Sequence, residues 1–501
     1  MDNLDLARWQ FAITTVYHFL FVPITIGMSA VVAGFHTAFI RTRGEHWDRL
    51  AQFFSKLFLI NFALGLVTGI VQEFQFGMNW SSYSRFVGDI FGAPLAFEAL
   101  LAFFLESTFL GLWIFGRGRM PEKLHAATIW IVHIGTVLSA YFILAANSFM
   151  QHPVGYRYNP ETRRAELTDF VAVLFNKVQL VTFPHVIFAA YMAGGAMVLA
   201  VALWHWRRRQ GLAELSESDE SAGATSVLAS RGGLRDREMY RRAARVGAIV
   251  TLVAGLGVVV SGDLQGKVMT EVQPMKMAAA EALYETAEPA PFSIFTVGTL
   301  DGSKPLASVE IPGLLSFLGT GSFSGRVQGI NDLKKQYAET YAGNPLTADA
   351  GGYVPNIPLS YWTFRLMIGV GLLSMALAAW SLWITRHPNH LGTSRRERAW
   401  WHWLIIATPL LPVVGCSFGW IFTEVGRQPW LVFGQMTTAT GVSPSVASWE
   451  VLLSMTVYTV LYAALAVIEV SLFLKYAKAG AQPVAQPDDH SDEDSTLAFA
   501  Y

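Results

Sequence analysis

Residues 419–430 read GWIFTEVGRQPW, an apolar membrane-type pattern that carries a glutamate and then breaks at Gly-Arg-Gln-Pro. A carboxylate near the bilayer core costs about 2.5–3.5 kcal/mol to insert and seldom persists without a task. Trp420, Glu424 and Arg427 are spaced four and then three residues apart. On a helix that spacing lines an aromatic plane, an anion and a fixed cation along one face. Arg427 could clamp an anionic group on a ligand through its planar fork of donors.

Other polar residues fall inside apolar stretches. His18 lies in the first, Glu98 and Glu106 in the third, and His133 and Ser139 in the fourth. His185 opens the fifth, and Arg365 and Met367 open the seventh. Cys416 is the one cysteine, so internal disulfides, CxxCH haem attachment and Cys-ligated clusters are excluded. His18, His185 and Met367 without thiolates suit iron in haem better than zinc or copper, and His/Met is an axial pair of electron-transfer haems. The bland alternative is that each histidine is a hydrogen-bonded packing residue and Met367 a space filler; His133 is read that way.

Glu98 and Glu106, eight residues apart, project from one broad side of a helix about 12 Å apart along its axis. Two stacked carboxylates point to a proton path that the Ser139 hydroxyl could join, unless each is paired with a cation on a neighbouring helix. Arg365 and Met367 stand roughly 200° apart, so if Met367 ligates iron Arg365 must reach a propionate by its long stem or serve a different haem. Lys276 and Glu281, in QPMKMAAAEALYE, are five apart and by spacing alone could be solvated surface charges.

The elements that must position these residues are helical. With 52% hydrophobic and only 15% charged residues over 501, the chain cannot cover a soluble surface of its size and reads as a polytopic all-α membrane protein. A net charge of −1 argues neither for a nucleic-acid partner nor for a strongly basic membrane-surface role, and no nucleic-acid partner is expected. Nine apolar segments are long enough to span a bilayer, near 11–40, 54–77, 92–115, 125–147, 180–205, 244–262, 361–385, 402–424 and 449–475. Lys and Arg crowd the loops at 41–56, 116–124, 206–245 and 386–400, which places the N-terminus outside and the C-terminus in the cytoplasm. The first ten residues lack the basic region of a cleavable signal peptide. The expected organisation is spans 1–6 over 1–262, an extracytoplasmic segment over 263–360, spans 7–9 over 361–475 and a disordered cytoplasmic tail over 476–501. The loop 211–235, rich in Ser, Glu, Ala and Gly, reads as mobile.

The segments RWQFAITTVYHFLFVPITIG, GIVQEFQFGMNW, FEALLAFFLEST, SAYFILAANSFMQHPVG, FPHV, YWTFRLM and GWIFTEVGRQPW, in that order, resemble subunit I of the cytochrome bd-type quinol oxidases. The resemblance implies three non-covalent haems: a low-spin b, a high-spin b and a chlorin-type d at which O2 is reduced. His185 and Met367 match the low-spin haem's axial ligands, with Arg365 beside it. His18 and Glu424 match ligands of the two active-site haems, with the choice of b or d left open. Glu98 matches a residue on the distal side of that site, Glu106 and Ser139 its proton path, and Trp420 an aromatic between haems. Lys276 and Glu281 match the quinol-oxidising loop, here in a shorter version.

The function so implied is a terminal oxidase of the bacterial cytoplasmic membrane, working with a second helical subunit and small single-span accessory subunits. Quinol would release protons outside near Lys276 and Glu281, while protons for water formation enter from inside, so charge separates without a pump. A proton-coupled secondary transporter would contain no haem, and a b-type electron-transfer subunit would lack O2 chemistry. A haem–copper oxidase is disfavoured because the spans lack the several histidines such a centre needs.

Overall fold

The computed structural model describes residues 2–217, 224–299, 303–349, 351–386 and 395–483. The acidic tail and the centre of the 211–235 loop lie outside the described residues; the helices on either side of that loop run to Glu217 and from Ala224. Among the described residues nine helices are long and apolar enough to cross a membrane. They are Asn3–Thr42, Glu45–Met78, Ser81–Phe115, Glu122–Gln151, Lys177–Arg208, Gly233–Val272, Ile357–Arg386, Trp400–Gly426 and Ser448–Ala479. All nine expected spans are present, and each is longer than its apolar run.

The sixth span shows why. The boundary expected at 262 was set by hydropathy, yet the helix continues to Val272. Its polar extension supports itself: Lys267 pairs with Asp263 one turn away at 2.5 Å, and the Thr270 hydroxyl donates to Gly266 O at 2.9 Å. A helix leaving the hydrocarbon needs only satisfied side chains, not apolar ones.

Two spans form the centre. The first and fifth are 67% and 72% buried over their most apolar windows, against 11% for the third and ninth, which therefore show most of their apolar surface to the outside of the bundle. The first span touches the second, fourth, fifth, eighth and ninth. Its packing uses a large aliphatic and aromatic cluster including Met28, Val32, Phe54 and Phe58. Gly27 and Gly194 bring the first and fifth spans into backbone contact, since a Cβ on either would fall within 2.2–2.8 Å of the other helix's backbone.

The two ends of the bundle are held by different loops. At one, Arg49 pairs with Asp236 at 2.8 Å and Arg117 with Asp48 at 2.6 Å, joining the loops that are rich in basic residues. At the other, Asn3 donates to Val446 O at 2.9 Å and Lys177 pairs with Glu271 at 2.6 Å.

The segment between the sixth and seventh spans is folded. A short helix, Pro274–Glu281, is buried from Met275 onward. A twisted antiparallel hairpin pairs Phe292–Gly298 with Pro305–Ile311. The helix Ile330–Tyr341 turns Ile330, Leu333 and Tyr337 onto Met275, Ala278, Tyr353 and Trp430. This small apolar core presses Pro274–Glu281 onto the seventh and eighth spans.

Candidate active site

Histidines are sorted by what their ring nitrogens meet. His133 is saturated: Nδ1 bonds Ser29 Oγ at 2.9 Å and Nε2 bonds the Tyr191 hydroxyl at 3.1 Å, so it has no lone pair to offer and packs as expected. His18 bonds Thr68 Oγ1 through Nδ1 at 2.9 Å and also meets the Gly65 backbone, and His185 bonds Ser261 Oγ through Nδ1 at 3.2 Å and also meets the Val258 backbone. Their Nε2 atoms have no hydrogen-bond partner among the described residues. A histidine held at one nitrogen and open at the other is the arrangement of a metal ligand.

His185 and Met367 border one cavity of about 480 Å³ between the fifth, sixth, seventh and eighth spans. Its wall is flattened where Gly371, Gly415 and Gly419 line it. A Cβ on Gly419 would stand 3.0 Å from Met367 Sδ, so glycine there keeps the thioether free. An open imidazole nitrogen, a thioether and glycine walls fit a haem.

The same cavity reaches Lys276 and Glu281, both only 4% exposed, so neither is a solvated surface charge. Arg365 forks onto Glu281, with Nη2 at 2.6 Å from Oε2 and Nη1 at 3.2 Å from Oε1, and its Nε donates to Ser293 O at 2.8 Å. The helical phase that separated Arg365 from Met367 thus gives Arg365 a carboxylate partner in the segment between the sixth and seventh spans. Burial raises the Glu281 carboxyl to about 7 against the opposing pull of Arg365. Burial likewise lowers the Lys276 ammonium to about 7, with Glu424 pulling it back up. Both groups are poised to exchange protons near neutral pH.

Glu424 is gripped on both oxygens. Asn147 Nδ2 donates to Oε1 at 3.1 Å, and Arg427 Nη2 donates to Oε2. Arg427 also donates to Leu431 O, while its Nε is buried without a hydrogen-bond partner among the described residues. Asn147 accepts from Gln151 Nε2 at 2.8 Å, and Gln151 Oε1 accepts from Lys276 Nζ at 3.2 Å. Lys276 and Glu424 are therefore joined by two amides one turn apart on the fourth span. Sequence reasoning passed over Asn147 and Gln151; the signal was their i, i+4 spacing inside an apolar run. Trp420 lines the cavity and meets Phe19 edge-on with centroids 4.8 Å apart, which sets it between the cavity and the helix carrying His18.

The carboxylates of the third span sit apart from this cavity. Ser139 donates to Glu98 Oε1 at 2.8 Å, and Glu106, 8% exposed, packs on Gly135, where a Cβ would be 2.7 Å from Glu106 Cγ. Residues 98–103 form a π-helical turn, which corrects the α-helical geometry expected from spacing. Eight α-helical steps would put the carboxylates about 80° apart, whereas the extra residue of a π turn leaves about 20°. Both consequently face one stripe of the fourth span, where Gly135 and Ser139 are themselves one turn apart.

The profile of the family described as cytochrome bd terminal oxidase subunit I matches residues 6–481. The chain belongs to that family. It is 42% identical to cytochrome bd ubiquinol oxidase subunit 1 of Bacillus subtilis (strain 168), over 98% of this chain and 96% of that one. It is 33% identical to cytochrome bd-II ubiquinol oxidase subunit 1 of Escherichia coli (strain K12), over 96% and 97%. The structure of bd oxidase from Geobacillus thermodenitrificans superposes with a TM-score of 0.78 at 25% identity, covering 95% of this chain and 99% of that chain. As a cytochrome bd subunit I the chain is a multi-pass membrane protein of a quinol:O2 oxidoreductase that uses haem. Family membership decides against the transporter and the electron-transfer subunit without O2 chemistry.

Proposed function

We propose that the chain carries all three haems of a bd-type oxidase and the quinol site that feeds them. His185 and Met367 hold a low-spin haem b, and His18 and Glu424 supply ligands to a high-spin haem b and a haem d. When bound, these haems supply the one-electron steps between quinol and O2. Each remaining role belongs to the polypeptide.

Glu281 accepts a proton from the quinol hydroxyl, since a carboxyl near 7 is half ionised at neutral pH and Arg365 holds it in place. Lys276 orients the quinol head through its ammonium. Gly371, Gly415 and Gly419 admit a planar macrocycle, and Trp420 fills the space toward His18. Glu106 and Ser139 pass protons to Glu98, whose carboxyl is hydrogen-bonded to Ser139. Arg427 holds Glu424 in position and keeps one donor free for a propionate.

The basic loops lie in the cytoplasm of a bacterial cell, so the folded outer segment and its quinol site face outward. Proton release outside and uptake inside then generate a proton motive force without a pump. The outward apolar faces of the third and ninth spans take lipid, subunit II and small single-span subunits.

The observation that carries this reading is the single cavity that brings His185 and Met367 to Lys276 and Glu281. The test is a reduced-minus-oxidised spectrum of the purified complex together with quinol-driven oxygen uptake. His185→Ala and Met367→Ala are each expected to remove the low-spin b signal. An intact low-spin spectrum in both variants refutes the ligand assignment.

A further inference from the structure

The two histidines with an open Nε2 share surroundings that the ligand assignment alone does not require. Each Nδ1 meets a hydroxyl on the adjacent span, Thr68 for His18 and Ser261 for His185, and each ring also meets a backbone carbonyl one turn before that hydroxyl, at Gly65 and Val258. Each hydroxyl already spends its one proton on its own helix: Thr68 Oγ1 donates to Gly65 O at 2.9 Å, and Ser261 Oγ to Gly257 O at 2.7 Å. With its proton engaged, each oxygen can only accept, so Nδ1 must carry the hydrogen and Nε2 must be the lone pair. Both hydroxyls are buried, at 0% and 5% exposure, so no water substitutes for them cheaply.

In both cases the next residue is a glycine against the imidazole. A Cβ on Gly69 would lie 3.2 Å from His18 Cε1, and one on Gly262 would lie 3.3 Å from His185 Cε1. Hydroxyl and glycine together fix the ring's tautomer and its plane. The Thr68 contact is also one rung of a polar seam between the first two spans, which continues on one side to Asn61 Nδ2 donating to Thr25 Oγ1 at 2.7 Å and Phe21 O at 2.9 Å. Above it Gln75 Nε2 donates to Thr14 Oγ1 at 2.5 Å, Gln72 Nε2 to Thr15 Oγ1 at 2.7 Å, and Asn79 Nδ2 to Gln10 Oε1. A slip of either helix would strand these groups in a dry interior, so the seam locks Thr68 opposite His18.

We propose that Thr68–Gly69 and Ser261–Gly262 are two independent positioning pairs that hold His18 and His185 as Nδ1–H tautomers and aim Nε2 at iron. This rests on the reading of both histidines as haem ligands. An acceptor on Nδ1–H makes the imidazole a stronger donor and favours ferric iron, and losing such an outer partner changes metal affinity about 10–100-fold.

The test is potentiometric titration of each haem in the purified holo-complex carrying Thr68→Val or Ser261→Ala. Ser261→Ala is expected to raise the midpoint potential of the low-spin haem alone. Thr68→Val is expected to raise that of the His18 haem alone. A tenfold change in the ferric-to-ferrous preference reads as about 59 mV for a one-electron couple. Thr68→Ser and Ser261→Thr, which keep the hydroxyl, are expected to stay at the wild-type potentials. Unchanged potentials in Thr68→Val and Ser261→Ala, or equal shifts of every haem in each, overturn the proposal. If His18→Ala or His185→Ala keeps its haem signal, the ligand reading itself has failed, and that outcome is separate from these shifts.

Discussion

Replacing Arg365 by leucine removes the guanidinium that pairs with Glu281. The pair is bidentate at 2.6 and 3.2 Å and nearly dry, with 10% and 2% of the two side chains exposed, so solvent screens it little. A guanidinium this close lowers a carboxyl by about 1–3 pH units. Glu281 sits near 7 because burial outweighs that pull, and without Arg365 only burial remains, so the carboxyl rises further. A quinol-oxidising base must be ionised. Its activity is present above its pKa and is lost as pH falls through it, so the variant's acidic limb moves up by about 1–3 pH units. At pH 7 the ionised fraction then falls from about one half by about 5- to 500-fold. The assay is kcat/KM for quinol against pH in the purified complex, with spectra recorded to show that the haems are retained. Arg365→Lys, which keeps the charge but cannot fork, is expected to move the limb less. A wild-type acidic limb in Arg365→Leu with intact haem spectra refutes the argument that Glu281 is the base and Arg365 its tuning partner.

Two further outcomes follow from the packing. Glu106→Gln removes a titratable group but little volume from the stripe facing Gly135 and Ser139. It is expected to slow oxygen uptake about 10²-fold or more, within the range of lost acid–base steps, with all haem bands retained; turnover at the wild-type rate would remove Glu106 from the proton path. Gly419→Val places branched carbons where a Cβ alone would be 3.0 Å from Met367 Sδ, so the thioether must swing away. Loss or broadening of the low-spin b band is expected, and an unaltered band would show that Met367 is not held where the cavity places it.

Much of the fold could be read from hydropathy. A membrane span needs about 20 apolar residues, and that requirement is local, so all nine spans were visible in the sequence. Their ends were not, because a helix emerging into water can continue on ion pairs such as Lys267–Asp263 that carry no apolar signal. Intramembrane polar residues announced themselves by cost, which is why Glu98, Glu106, His18, His185 and Glu424 stood out. Lys276 and Glu281 did not, since outside the spans nothing in their spacing separates a dry pair from a wet one.

Tertiary structure decided what each of those residues meets. Segment 419–430 declared an aromatic, an anion and a cation on one face, because i, i+3 and i, i+4 neighbours follow from helix pitch alone. That Glu424 is also held by Asn147 from the fourth span, and that Lys276 reaches it through Gln151, depended on which helices pack together. The sequence likewise set His18 and His185 apart as haem-ligand candidates and His133 as packing, without showing what each ring nitrogen meets. His133 is closed by Ser29 and Tyr191, whereas His18 and His185 are left open at Nε2 by Thr68 and Ser261. These ring nitrogens are satisfied by groups 50 to 104 residues distant in the chain, and only the packed bundle brings them together.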